Sequence, residues 1–192
     1  MANILATHSV GNSLMTYLRN AYPEPYRTAH PFDFRVISTG ELADAADPPT
    51  NAVTLFLYRI THNEHLRSRT TAADPANANP PLSIDLHFLL TAWADNALGE
   101  QTVMSWAMRE LQMHPVLDSS ALSPEAEWTP ADVVQLIPAE LSNEELMRIW
   151  DLLLPKYRLS VSYIARVIRI DTDTVVGRPA VASRLQFSEV PS

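Results

Sequence analysis

The side chains with the widest chemical reach gather in the middle of the chain. His62 and His65 are spaced i, i+3, and Asp85 and His87 follow on a segment that should pair with theirs. Two imidazoles and a carboxylate can hold zinc. The spacing itself works against this: on a strand, residues i and i+3 project from opposite faces, so the two rings do not converge. Strand-end histidines in solvent account for the pattern better than a metal site does, and His87 falls on the polar side of its strand. Glu144 and Glu145 resemble a catalytic carboxylate pair. Ser142, however, stands three residues before Glu145, the spacing of a capping box, and a helix N-terminus favours acids in any case. No G-x-S-x-G elbow, phosphate-cradling glycine loop or H-E-x-x-H helix occurs in the sequence. Four scattered glycines, Gly11, Gly40, Gly99 and Gly177, are too few and too far apart to build a nucleotide cradle. Trp93, Trp106, Trp128 and Trp150 offer stacking surfaces. Trp150 belongs to an apolar stripe, and Trp106 flanks another, where it suits a core or an interface. Residue types alone therefore assign no catalytic residue, no cofactor and no metal ligand set. A metal-dependent enzyme using His62, His65 and His87 stays as a competing reading.

The elements that would carry these side chains are legible from periodicity. Ser142 and Glu145 cap a helix, and Leu141 and Leu146 occupy the positions of a hydrophobic staple around it. Leu146, Ile149, Trp150 and Leu153 recur at helical spacing, and Pro155 should end the helix near Leu154. The pattern then changes to period two. Leu159, Val161, Tyr163, Ala165 and Val167 share one face and Arg158, Ser160, Ser162 and Arg166 the other, while Ile168 and Ile170 break phase as at a bulge. Near the N-terminus, Ile4, His8, Gly11, Leu14, Leu18 and Tyr22 lie on one side of a helix that stops before Pro23. Gly11 in its middle costs about 1 kcal/mol relative to alanine, which suits a close approach to another element. Phe32, Phe34 and Val36 alternate with Asp33 and Arg35 as a short strand. Residues 38–51 read as a polar loop. Residues 53–60 are apolar on both faces, as in a central strand. Residues 67–81 form a long aperiodic loop, and residues 82–90 make a strand antiparallel to 53–60. Gly99 precedes a helix with Val103, Ala107, Met108 and Leu111 inward, stopped by Pro115. Residues 116–132 are turn-rich, and Val133 to Ile137 suit a strand rather than a helical turn after Pro130. The sum is an α/β (α+β) chain. It has one domain over residues 1–170, with a mainly antiparallel or mixed sheet of about four to five strands packed by helices, and a tail over residues 171–192.

Composition narrows the partners. The 192 residues carry a net charge of −8, and of the 14 basic side chains only Lys156 is a lysine. An acidic chain lacks the cationic stripe that a phosphate backbone requires, so nucleic acid is not an expected partner. Arginine forks suit carboxylates at protein interfaces. There are no cysteines, which removes disulfide and thiol chemistry. No run of about 18 apolar residues predicts a membrane span. The opening residues lack a cationic segment followed by an apolar run, so synthesis and folding in the cytoplasm are the expectation.

Three segments carry a family resemblance: V-T-L-F-L-Y-R-I-T-H-N, P-P-L-S-I-D-L-H-F-L-L-T-A-W-A, and P-A-E-L-S-N-E-E-L-M-R-I-W-D-L-L followed by Y-R-L-S-V-S-Y-I-A-R-V. They resemble the tail-terminator (cap) proteins of extracellular contractile injection systems, the phage-tail-like particles of the antifeeding-prophage and virulence-cassette type. The segment around Trp150 and Tyr163 is the most specific. The resemblance implies a terminator α/β fold and assembly as a homo-hexamer on the distal end of the inner-tube and sheath proteins. It also implies a structural role in ending polymerisation, without enzyme activity, within a particle that is released outside the cell. An assembly chaperone that binds tube or sheath subunits and is absent from the finished particle is the alternative. Strand addition between chains would place Val175, Val176, Arg178, Arg184, Leu185 and Phe187 of the tail at an interface. Arg67 and Arg69 of the long loop are the second interface candidates.

Overall fold

The computed structural model describes residues 2–43, 49–63, 81–153 and 157–171. Six strands form one mixed sheet: β1 (Asp33–Ile37), β2 (Ala52–His62), β3 (Leu82–Trp93), β4 (Val116–Asp118), β5 (Val133–Ala139) and β6 (Ser160–Ile170), in the order β1-β2-β3-β6-β5-β4. β1 runs parallel to β2, and every other pair is antiparallel. The helices are α1 (Ala6–Ala21), α2 (Tyr26–Ala29), α3 (Thr39–Ala43), α4 (Ala97–Met113) and α5 (Asn143–Asp151), with a short 3-10 turn at Pro124–Ala126.

Two apolar clusters fill the two faces of the sheet. The larger joins α1 and α4 to Val53, Leu55, Leu86, Phe88, Leu90, Tyr163 and Ala165; the smaller joins α3 and α5 to Ala52, Leu89 and Trp93. β3 serves both, which is why its second half is buried on both sides despite the alternation seen in its first residues. α1 turns Ala6, Val10, Leu14, Met15 and Leu18 inward. Ile4 precedes the helix and is 74% exposed, and His8 faces solvent, so the inward stripe is centred beside the line that periodicity marks. Gly11 makes the expected close approach: a Cβ there would lie 3.3 Å from Val36 Cγ2 on β1. Two serines on the buried face of α1 are satisfied by Ser123, just before the 3-10 segment, and by Trp128 in the loop after it. Ser9 Oγ donates to the Ser123 carbonyl at 2.9 Å and accepts from Trp128 Nε1 at 2.8 Å, and Ser13 Oγ accepts from the Ser123 N–H at 2.7 Å. Arg27 from α2 reaches the carbonyls at the C-terminus of α1, with 2.7 Å to that of Tyr22, where a cation complements the exposed carbonyl dipoles.

α4 begins at Ala97, capped by the Asn96 side chain, which accepts from the Gly99 N–H at 2.8 Å. Val103, Ala107 and Leu111 face inward as expected, but the inward side is wider than that stripe. Trp106 is only 6% exposed and packs edge-on against Tyr22 at 4.8 Å, whereas Met108, expected inward, is 43% exposed. Residues 38–51, expected as a loop throughout, contain α3. Ser38 and Glu41 cap it reciprocally, with the Glu41 carboxylate accepting from the Ser38 N–H at 2.7 Å. β4 is a three-residue strand inside the stretch expected to be only turns. α5 carries the expected capping box at Ser142 and Glu145, and Leu141 and Leu146 pack on the smaller cluster. Its last helical residue is Asp151, three before the expected stop. The phase break in β6 is a bulge: Ile84 pairs with Ile168 and Leu86 with Ala165, so Arg166 and Val167 stand opposite Asp85.

Candidate interaction surfaces

The histidine and acid group resolves into separate parts. Register places His62 opposite Ile84 and His87 opposite Arg59, so the two imidazoles leave opposite faces of the sheet. Asp85 is 6% exposed and engaged at the β6 bulge. It accepts from Asn63 Nδ2 at 3.1 Å and pairs with Arg166 Nε at 3.3 Å. His87 Nε2 lies 3.0 Å from Thr61 Oγ1, and its ring packs edge-on against Tyr58 at 5.9 Å. His65 lies outside the described residues. Among the described residues, no three His, Cys, Asp or Glu side chains converge to hold a metal ion.

This arrangement has a pH consequence. Burial, reinforced by Arg59 and Arg166 and opposed by Asp85, lowers the pKa of His87 from the ordinary 6.5. The folded state thus keeps the ring neutral where the unfolded chain binds a proton. The corresponding stability is fully present above about pH 6.5 and declines as the pH falls through that value. Urea unfolding of wild type between pH 7.5 and 5.5 should show this loss. The His87→Gln variant should show a shallower slope over the same interval, and an unchanged slope would contradict the account.

Around this group the sheet presents a row of side chains that belong to neither core cluster. Arg59, His87, Ile164 and Ile137 stand abreast on β2, β3, β6 and β5, with Arg166 and Gln135 abreast beside them. Arg59, Arg166 and Gln135 are exposed and the other three half-buried. The mixture of arginine, uncharged polar and aliphatic groups suits contact with a protein surface.

The second surface is the outer side of α4. Leu98, Gln101, Ser105, Met108, Gln112 and Met113 are all exposed, and Arg109 is the single exposed charge on the helix. Beside it, Tyr26 of α2, Leu98, Ser105 and Arg109 border a groove of about 430 Å³. A solvated helix face ordinarily carries charges of both signs. Loss of charge together with exposed methionine, tyrosine and arginine is the composition of an interface core. Periodicity marked the inward stripe of this helix but not its outer face, although the absence of charge at positions 98, 101, 105, 108 and 112 was there to be read. The interface candidates of the sequence, Val175, Val176, Arg178, Arg184, Leu185 and Phe187 in the tail and Arg67 and Arg69 in the loop, lie outside the described residues.

The fold has known counterparts among the caps of contractile particles. One is the sheath/tube terminator of a PVC extracellular contractile injection system in its extended state, solved by cryo-EM, with a TM-score of 0.52 and 21% identity over 99% of this chain. Another is the tube-terminating cap of the anti-feeding prophage, also solved by cryo-EM, with a TM-score of 0.54 and 20% identity over 95% of this chain. This chain spans 65% and 60% of the length of those two proteins. The architecture is thus that of a tail terminator, a mixed α+β domain with helices on both faces of its sheet. The chain itself belongs to the Pvc16 N-terminal domain family, whose model matches residues 9–184. No curated protein matches it. No described helix is long and apolar enough to cross a membrane.

Proposed function

We propose that this chain is a structural cap of a contractile injection particle. Six copies close into a ring on the distal end of the inner tube, end its polymerisation and tie the last sheath ring to the particle. The observation that carries the reading is the family match over residues 9–184. The fold shared with one protein described as a sheath/tube terminator and another described as a tube-terminating cap agrees with it. The charge-poor outer side of α4 supports it physically. A closed ring needs two different patches on each subunit that meet by rotation, and a helix face whose single exposed charge is Arg109, beside a groove, suits one of them. The role is mechanical and calls for no catalytic residue, cofactor or metal. The particle is assembled in the cytoplasm and released from the cell.

The tail supplies the second contact in this reading. Arg178 and Arg184 pair with carboxylates of a neighbouring subunit or of the sheath, while Val175, Val176, Leu185 and Phe187 give it a strand-like apolar edge. Arg67 and Arg69 supply further contact. Deleting residues 175–192 should leave the melting temperature of the purified protein essentially unchanged and remove it from particles. Mass spectrometry of purified particles reads the outcome. Wild-type incorporation of the truncated chain into particles of normal length would contradict the assignment of the tail. Absence of the full-length chain from finished particles would contradict the cap itself.

A further inference from the structure

β1 is an edge strand whose outer side is unpaired among the described residues. In a parallel pair the backbone groups of alternate residues turn to the same side. The Asp33 N–H donates to the Asn51 carbonyl at 2.9 Å, which directs Asp33, Arg35 and Ile37 towards β2 and turns Phe34 and Val36 outward. The Phe34 carbonyl accepts from the Arg19 guanidinium of α1. No strand among the described residues takes the Phe34 N–H or either backbone group of Val36.

α1 runs beside this edge, and between helix and strand lies a groove of about 400 Å³, bordered by Asn12, Met15, Thr16 and Arg19 on one side and by β1 on the other. One wall is therefore a row of main-chain donors and acceptors, which only an extended segment can satisfy in register. The charges state what that segment carries. Arg19 is 52% exposed, and among the described residues its only carboxylate contact is a long one of 3.8 Å to Asp33, itself 59% exposed. An exposed pair of this kind holds its partners weakly. Arg35 also borders the groove and is exposed, whereas Glu41 is occupied by capping Ser38. Two arginines and one carboxylate border the groove, a net positive balance on a chain of net charge −8.

We propose that this groove accepts an extended, carboxylate-bearing segment of a partner protein as an added edge strand. The incoming segment pairs with Phe34 and Val36. One of its N–H groups replaces Arg19 at the Phe34 carbonyl, and the released guanidinium takes a carboxylate of the same segment. The guard that Arg19 places on a naked edge thus doubles as the recognition group. This site is lined by no residue of α4 and stands whether or not the cap reading holds.

The test uses the full chain and a fluorescein-labelled short peptide alternating valine and glutamate, followed by anisotropy, with amide hydrogen exchange read at Val36. Saturable binding is expected, together with slowing of Val36 exchange by about tenfold or more. A version of the peptide with alternate backbone nitrogens methylated, a version with lysine in place of glutamate, and the Arg19→Ala protein should each weaken binding by about tenfold or more. Arg19→Ala should keep the wild-type melting temperature. Absence of saturable binding, equal binding of the methylated peptide, or unchanged exchange at Val36 would overturn the proposal. So would slowing of Val36 exchange on concentrating the protein alone, since the edge would then belong to a second copy.

Discussion

Trp93→Ala is expected to cost about 3–5 kcal/mol, the range for truncating a fully buried tryptophan. A domain of this size is stable by only about 5–15 kcal/mol, so the variant stands near or beyond the edge of folding. Trp93 is 1% exposed at the end of β3 and is the largest fully buried side chain. Three separate groups depend on it. Its Nε1 donates to Thr54 Oγ1 at 2.8 Å, and that hydroxyl is itself buried on β2. Its ring meets Trp150 of α5 edge-on at 6.0 Å, and Arg158 lies over it at 5.5 Å. Removing the indole opens a cavity in the smaller cluster, leaves the Thr54 hydroxyl unpaired and strips α5 of its main seat on the sheet. Trp93→Phe keeps most of the packing and loses the hydrogen bond, so it should cost about 1–3 kcal/mol. Thr54→Val leaves the indole N–H unpaired and should fall in the same lower range. Guanidinium unfolding of the three variants checks the order. A Trp93→Ala penalty no larger than that of Thr54→Val would show that α5 is not anchored through this ring.

Ser105→Glu is expected to leave the monomer as stable as wild type and to abolish ring assembly. Ser105 is exposed at the middle of α4, and glutamate is at least as good a helix former as serine, so folding has nothing to lose. Surface changes of this kind ordinarily stay within about 0.5 kcal/mol. The assembled state is different. A carboxylate placed at the centre of this charge-poor helix face, between Gln101 and Met108, must give up its water when the face is covered. Pairing with Arg109 one turn on recovers only part of that cost because both ions are then desolvated, leaving a penalty of about 1–4 kcal/mol per interface. In the proposed ring the contact repeats at every subunit, so the penalty recurs. Ser105→Ala is the control and should assemble normally. Light scattering of the purified protein with tube subunits, together with electron microscopy of particles, reads both variants. Normal incorporation of Ser105→Glu would move the interface away from α4.

Much of the fold was legible because its signals are local. The Ser142–Glu145 box, the staple of Leu141 and Leu146, and the phase break at Ile168 each depend on residues a few positions apart, and each stands where its spacing placed it. The features that escaped periodicity depend on partners distant in sequence or on elements too short to show a period. β4 has three residues and exists because Val116, Leu117 and Asp118 find Gln135, Val134 and Val133 across the sheet. Trp106 displaced Met108 from the inward side of α4 because Tyr22 and Phe34 offer an aromatic nest that only the three-dimensional fold assembles. The helix at Thr39–Ala43 was readable: Ser38 and Glu41 repeat the spacing of the later capping box, without an apolar stripe to draw attention to it. The candidate chemistry divides the same way. Strand parity already argued that histidines three apart do not converge, and register separates His62 from His87 by the same rule. That Asp85 would turn inward to meet Arg166 could not be read from alternation, because the bulge that makes room for it is a property of β6.

The most direct test of the cap reading is the length distribution of tubes in particles made without this chain, measured by electron microscopy beside wild-type particles. Termination by this protein predicts tubes of uncontrolled length with open distal ends and detached sheath, and restoration of a single length when the chain is supplied again. Tubes of wild-type length with closed ends in its absence would contradict the account.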